Sequence, residues 1–238
     1  MLEIYCTGKT SKDIMVIKSI YKTMTDDADK IPVGTNIKMV FRHSFRDTLQ
    51  GVEDPDIIPL NHKGKQAAIQ FGMNISAEIG QMHSSFVPRC IQTLECIKIG
   101  TKQQIPIVVS REILGEGFAV DKKLADRSFK SIGSLKGVAN LLACGVSVAG
   151  FHPIVRTTRF MLDYIFKNGN ENGKLDMYCT HDFHIALMIC KIFDIKEQKD
   201  IILQWPHMLE GFFVWGSREN FSLIWRGRCK HLINFLLD

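Results

Sequence analysis

The sequence predicts an α/β protein: a three-layer sandwich around a mostly parallel central sheet, with a helical or loop cap inserted over one part of it. Three observations lead there. Short apolar runs alternate with segments of helical period, the order that builds strand–helix–strand units. Unusual polar residues follow directly on three of those runs, at the carboxyl ends of strands, where open α/β sheets bind ligands. The composition is near the globular average, with 45% hydrophobic and 23% charged residues in a 238-residue chain, which argues against a disordered, collagen-like or coiled-coil protein. That length suits one domain, residues 1–238, or a core domain carrying a smaller inserted lobe.

Taken in order, Ile14, Ile17, Ile20 and Tyr21 have helical spacing, bounded by the polar turn Thr25-Asp26-Asp27. Ile37-Lys-Met-Val-Phe41 reads as a buried strand, followed by a polar loop containing Pro55 and Pro59. Ala67, Ala68, Phe71, Ile75 and Ile79 predict a helix over Gly64–Ile79. Ser85–Val87 predicts a second short strand, Arg89–Ile99 a helix, and Ile105–Val109 a third strand. Residues 112–155 change character, being rich in Gly, Lys and Asp with a weakly apolar middle; this is the expected cap insertion. A helix over Thr157–Phe166 is closed by Lys167-Asn168-Gly169. Leu175–Cys179 is a fourth strand leading into a helix over Phe183–Phe193. Gly211–Val214 and Phe221–Trp225 finish the chain as a hairpin or edge pair, the latter a candidate edge strand.

Thirty basic residues against 25 acidic ones give a net charge of +5. Such an excess suits an anionic ligand and is too small to imply nucleic acid. The seven cysteines are odd in number and scattered, with no C-x-x-C pair, so neither a disulfide framework nor a zinc knuckle is expected. The N-terminus does not resemble a secretory signal, and the least polar long stretch, Val138–Phe151, is too short to span a bilayer. A soluble, cytoplasmic protein without membrane or nucleic-acid partners is expected, and oligomeric state is left open.

The three polar clusters are Arg42-His43-Ser44-Phe45-Arg46 after the first strand, Arg89 and Thr93 after the second, and His181-Asp182 after the fourth. Arginine forks match phosphate oxygens and stay charged at any working pH. Histidines act near neutrality as nucleophile, proton carrier or donor. Asp182 can protonate a leaving oxygen while its neutral form is populated. The start of the following helix adds backbone N–H groups and the positive end of its dipole. The inventory suits phosphoryl transfer through a covalent phosphohistidine.

These motifs resemble the histidine phosphatase superfamily, with its phosphoglycerate mutase-like fold. Arg42-His43-Ser44-Phe45-Arg46 is similar to the family's Arg-His-Gly signature with a further Arg two residues on, Ser44 standing in the glycine's place. Pro59-Leu-Asn-His-Lys-Gly-Lys65 is similar to the segment opening the first helix, and Ser84-Ser-Phe-Val-Pro-Arg89-Cys-Ile-Gln-Thr93 to the second arginine motif. His181-Asp182 resembles the pair of the acid-phosphatase branch, and Pro206-His-Met-Leu-Glu210-Gly211 the segment before the last core strands. The match runs over about residues 36–225, in the family's order.

The resemblance implies His43 as nucleophile, with Arg42, Arg46 and Arg89 clamping the phosphoryl group and His181 donating to the same oxygens. It implies Asp182 as general acid, then as the base that activates water. Ser44, His83 and Glu210 are further candidates for the pocket wall, and Asp47 for pairing with a pocket arginine or a cationic part of the substrate. The remaining histidines and the tryptophans Trp205, Trp215 and Trp225 read as packing or surface residues. No metal or other cofactor is expected, since the arginines supply the positive charge. The implied activity is hydrolysis of a small phosphomonoester. A phosphoglycerate mutase-like transferase and a non-catalytic phosphate-binding module stand as alternatives.

Overall fold

The computed structural model describes residues 17–48, 54–170 and 173–235. Four parallel strands form one half of its sheet: β1 (Ile37–Arg42), β2 (Ile79–Ser85), β3 (Ile107–Ser110) and β4 (Leu175–Thr180). Three antiparallel strands, β5 (Gly211–Gly216), β6 (Asn220–Trp225) and β7 (Arg228–Ile233), complete a seven-stranded mixed sheet of order β3-β2-β4-β1-β5-β6-β7. β1 and β4 lie side by side, with Arg42 opposite Thr180. The residues that follow them, His43 and His181, therefore emerge together at one sheet edge.

Both faces of the central strands are buried, which is why β1 and β4 are mostly apolar, each carrying one buried charged residue within the run, Lys38 and Asp176. On one face Met39, Phe41, Met177 and Cys179 pack beneath α1 (Lys22–Ala28), α2 (His62–Met73) and α3 (Pro88–Thr101). On the other, Val40, Tyr178, Phe212 and Val214 meet a core built from α4 (Lys122–Ile132), α5 (Leu135–Ala143), α6 (Ile154–Lys167), α7 (Asp182–Phe193) and α8 (Gln198–Leu203). The 112–155 segment supplies α4 and α5. Leu114, Phe118, Val138 and Leu142 of that segment share one core with α6 and α7.

Several elements differ from the sequence expectation. Thr25-Asp26-Asp27 lies inside α1 and is not a turn: Met24 and Ala28 are buried four residues apart, and buried Asp27 accepts a hydrogen bond from the Gly227 amide. Ile14 falls outside the described residues. α2 stops at Met73, with Asn74 after it, so Ile75 and Ile79 are not helical. They reach the same core as Phe71 through an extended chain, Ile79 opening β2. The second strand is thus Ile79–Ser85, and Val87 caps α3. Phe221–Trp225 is an interior strand, because β7 pairs along it and takes the edge.

Candidate active site

β1 delivers Arg42 and His43 to the carboxyl edge of the parallel strands, and the backbone there is fixed from three sides. The His43 amide donates to the Thr180 carbonyl (3.1 Å), and the Ser44 amide to Thr93 Oγ1 (3.0 Å). The Leu209 amide donates to the Arg42 and His43 carbonyls (3.2 and 3.3 Å). Leu209 makes this bridge at φ 63°, a left-handed conformation unusual for a buried, branched side chain. The chain is held here by its neighbours against its own preference.

His43 is 2% exposed, and its Nδ1 lies 2.8 Å from the Ser44 carbonyl. A carbonyl only accepts, so Nδ1 carries the proton and Nε2 is left as an acceptor. That nitrogen accepts from Arg89 Nε at 3.1 Å. Burial first, then the charges of His181, Arg89 and Arg42, hold His43 well below the ordinary histidine value, so its neutral form persists across neutral pH. A buried, neutral imidazole of this kind can act as a nucleophile once the Arg89 N–H is drawn off its lone pair.

Arg42 and Arg89 lie beside it, and Arg46 is close to both of them. Arg42 lies 2.7 Å from Asp182 Oδ2 through Nη2 and donates to the Pro206 carbonyl through Nη1 (2.8 Å). Arg89, the second residue of α3, donates to the Pro55 carbonyl (2.7 Å) and lies 3.9 Å from Asp56. Arg46 reaches the Asp47 carbonyl (2.8 Å). The Nε atoms of Arg42 and Arg46 are buried and make no hydrogen bond within the described residues. Donors left open in a buried cationic cluster call for an anion.

His181 precedes α7, and its ring centroid is 5.6 Å from that of His43. Its Nε2 meets Ser85 Oγ at 2.9 Å and Cys90 Sγ at 3.8 Å. Ser85 Oγ already accepts from the Val87 amide (3.3 Å), so its own proton is free to go to His181 Nε2. Asp182 begins α7: Oδ1 accepts from the Phe183 amide (2.9 Å), and Oδ2 from Arg42 and from the indole Nε1 of Trp205 (3.1 Å). Burial pushes this carboxyl upward, but Arg42, Trp205 and His181 together outweigh it and hold the group below the usual carboxylate range.

The structure brings Arg42, His43, Arg46, Arg89, His181 and Asp182 together and places the other candidates elsewhere. Ser44 is buried beside them but turned away: its hydroxyl donates to the Gly64 carbonyl (2.8 Å), and its backbone is outside the positive-φ region. His83 lies on the α6 face of the sheet, with one ring nitrogen on Tyr164 (2.9 Å), the other on Gln81 (2.8 Å) and the ring stacked on Tyr178. Glu210 is bound to Arg226 (2.7 and 2.8 Å) and to the His207 amide (2.7 Å). It therefore shapes the 206–210 turn. Asp47 accepts from Asn61 Nδ2 (3.0 Å).

Sequence reasoning missed Trp205, Ser85 and the Pro206 carbonyl, all of which contact members of the cluster. Ser85 sits within the quoted Ser84–Thr93 motif and Trp205 directly before Pro206, so position was their only signal. Asp56 links Arg89 to the 112–155 segment through Lys122, 3.1 Å away, which itself lies 3.8 Å from Glu116.

No family model matches the sequence, and no curated protein does so either. Solved structures do match in fold. A phosphoglycerate mutase from Bacillus anthracis is 14% identical, with a TM-score of 0.53 over 86% of this chain and 97% of that one. A mycobacterial glucosyl-3-phosphoglycerate phosphatase is 12% identical, with a TM-score of 0.52 over 83% and 97%. YhfR from Bacillus stearothermophilus is 14% identical, with a TM-score of 0.52 over 84% and 96%. The chain therefore has the phosphoglycerate mutase-like fold.

Proposed function

We propose that this protein hydrolyses small phosphomonoesters through a covalent phosphohistidine on His43. The observation that carries the reading is the state of His43: proton fixed on Nδ1 by the Ser44 carbonyl, and Nε2 left as an acceptor whose partner is the Arg89 guanidinium, with Arg42 close by. The phosphoryl group of the substrate draws the three guanidinium groups onto its oxygens, Arg89 leaving Nε2 as it does so. Nε2 attacks phosphorus, the P–O bond to the alcohol breaks, and Asp182 gives its proton to the leaving oxygen. Water then attacks the phosphohistidine with Asp182 as base, the P–N bond breaks, and phosphate leaves. His181 donates to the equatorial oxygens from its Nδ1, its Nε2 being held by Ser85.

Asp182 is paired with Arg42 before substrate binds, which favours its ionised form. A bound phosphoryl group competes for Arg42 and so makes Asp182 easier to protonate. Turnover accordingly increases below pH 7 and declines along an alkaline limb as the acid form is lost. An alkaline limb without decline argues against the acid role.

The deciding test compares wild type with His43→Ala and Asp182→Asn on a chromogenic aryl phosphate and an alkyl phosphate. His43→Ala is expected to lose turnover and the acid-labile phosphoprotein label. Asp182→Asn is expected to fall by about 10²–10⁴ on the alkyl ester, the usual worth of a general acid, and by less on the aryl ester, whose leaving group needs little protonation. Equal residual activity in all three proteins overturns the reading and favours a phosphate-binding module. Phosphate passed to a second hydroxyl instead of water favours the transferase.

A further inference from the structure

Trp205 lies outside every motif quoted above, yet its indole is bonded to the carboxylate at the centre of the proposed chemistry. We propose that Trp205 is a positioning residue for Asp182, setting the pH at which Asp182 carries its proton and holding it in place once the substrate has taken Arg42. The inference rests on the reading of Asp182 as the acid.

The geometry gives Asp182 Oδ2 two donors of different character. Arg42 Nη2, at 2.7 Å, is a charge that the arriving phosphoryl group recruits, and Arg42 Nε is buried with no partner within the described residues. Trp205 Nε1, at 3.1 Å, is a neutral donor that neither titrates nor binds phosphate. When Arg42 swings its charge onto the substrate, the indole is the side-chain donor that stays. Asp182 is then steadied by Trp205 on one oxygen and by the Phe183 amide on the other.

Trp205 is itself braced. Its carbonyl accepts from Arg226 Nη2 (3.1 Å), whose guanidinium also holds Glu210. The Lys136 ammonium, at the start of α5, sits 5.6 Å from the indole ring. The 112–155 segment thus reaches the acid through one aromatic ring. The charged and titratable groups that face Asp182 are Arg42 at the end of β1, Arg46 in the loop beyond it, and His181 and His184 of the α7 turn. Tyr21 acts one step further out, on Arg42, and Glu210 acts on Tyr21.

The test is a carboxyl titration by NMR on protein carrying ¹³C-labelled aspartate, with Asp182→Asn used to assign the resonance. In Trp205→Phe, which keeps a ring and removes the N–H, the Asp182 midpoint is expected to rise by about one pH unit, the tenfold change one hydrogen bond to a charged group carries. Trp215→Phe, a change on β5 away from Asp182, leaves it in place. In wild type the Trp205 indole N–H resonance follows the Asp182 midpoint, a readout that needs no variant at 205. In turnover, the alkaline limb on an alkyl phosphate moves upward by the same amount in Trp205→Phe, whereas a purely structural role lowers kcat equally at every pH. An unmoved Asp182 midpoint in folded Trp205→Phe, or an indole resonance indifferent to that midpoint, overturns the proposal. Both titrations are read without substrate. A protein that hydrolyses nothing defeats the phosphatase reading while leaving the Trp205–Asp182 coupling measurable.

Discussion

Ser44 occupies the place of a glycine in the motif it resembles, and its surroundings explain how a side chain is accommodated. The backbone there does not need positive φ, so the serine incurs no left-handed strain. Its hydroxyl satisfies the Gly64 carbonyl instead. The tight spot lies at the other end of that bond: a Cβ on Gly64 would sit 1.9 Å from the Phe45 carbonyl oxygen. Ser44→Gly is therefore expected to leave turnover nearly unchanged and to lower stability by about 1–2 kcal/mol, the worth of a lost buried hydrogen bond plus backbone freedom. Gly64→Ala should cost more than Ser44→Gly, because backbone has to move. Urea midpoints for the two variants check the order, and a Gly64→Ala protein as stable as wild type would falsify it. The chemistry of the cluster was legible from residue types at three strand ends. The direction in which Ser44, His83 and Glu210 point was not, because their partners, Gly64, Tyr164 and Arg226, are distant in sequence.

At the scale of elements, the 203–210 segment borders the site beside Arg42 and Asp182, and one side chain ties three of its residues together. Arg226, in the β6–β7 turn at φ 46°, binds Glu210, the Leu203 carbonyl and the Trp205 carbonyl together. Glu210 is 2% exposed, so removing Arg226 leaves a buried carboxylate without its countercharge. Arg226→Met is expected to destabilise the fold by about 3–5 kcal/mol. The double variant Arg226→Met/Glu210→Gln should recover a good part of that loss, since the stranded charge is gone. Chemical denaturation of the two single variants and the double variant measures the coupling; strictly additive losses would show that the pair is not what secures the turn.

The same segment marks where sequence reading of elements stopped. β1, β4 and α7 were legible because burial on all sides leaves runs that are apolar but for single residues such as Lys38, Asp176 and Lys191. α8 and β7 were not: α8 buries one residue of its six, and β7 is an exposed edge carrying Arg228, Lys230 and His231. Ile75 and Ile79 misled for a related reason. They fall in the core of Phe71 at helical spacing, and periodicity records the shared core without recording the chain's path to it.

Over the whole molecule, two histidines outside the cluster couple folding to pH. His83 is lowered to about 4 by burial, and His184 to about 3, by burial first and then by its neighbour His181. His184 lies between the rings of Phe118 and Phe183, and neither of its nitrogens has a hydrogen-bond partner within the described residues. Both groups stay neutral in the folded chain and take up a proton in the unfolded chain near pH 6.5. Their contribution is therefore fully present above that pH and is lost as pH falls from about 6.5 toward 4. Each contributes a slope approaching about 1.4 kcal/mol per pH unit. The acid conditions that favour protonated Asp182 are thus the conditions that weaken the fold, so the measured pH optimum must lie above the point where unfolding begins. His184→Phe fills nearly the same aromatic space without the buried nitrogens. It should flatten the stability–pH slope by one proton between pH 6 and 4 and raise stability most at the acid end. Urea midpoints at pH 7, 6, 5 and 4 measure this. Parallel curves for wild type and His184→Phe would mean that the charge at this position is not what ties folding to pH.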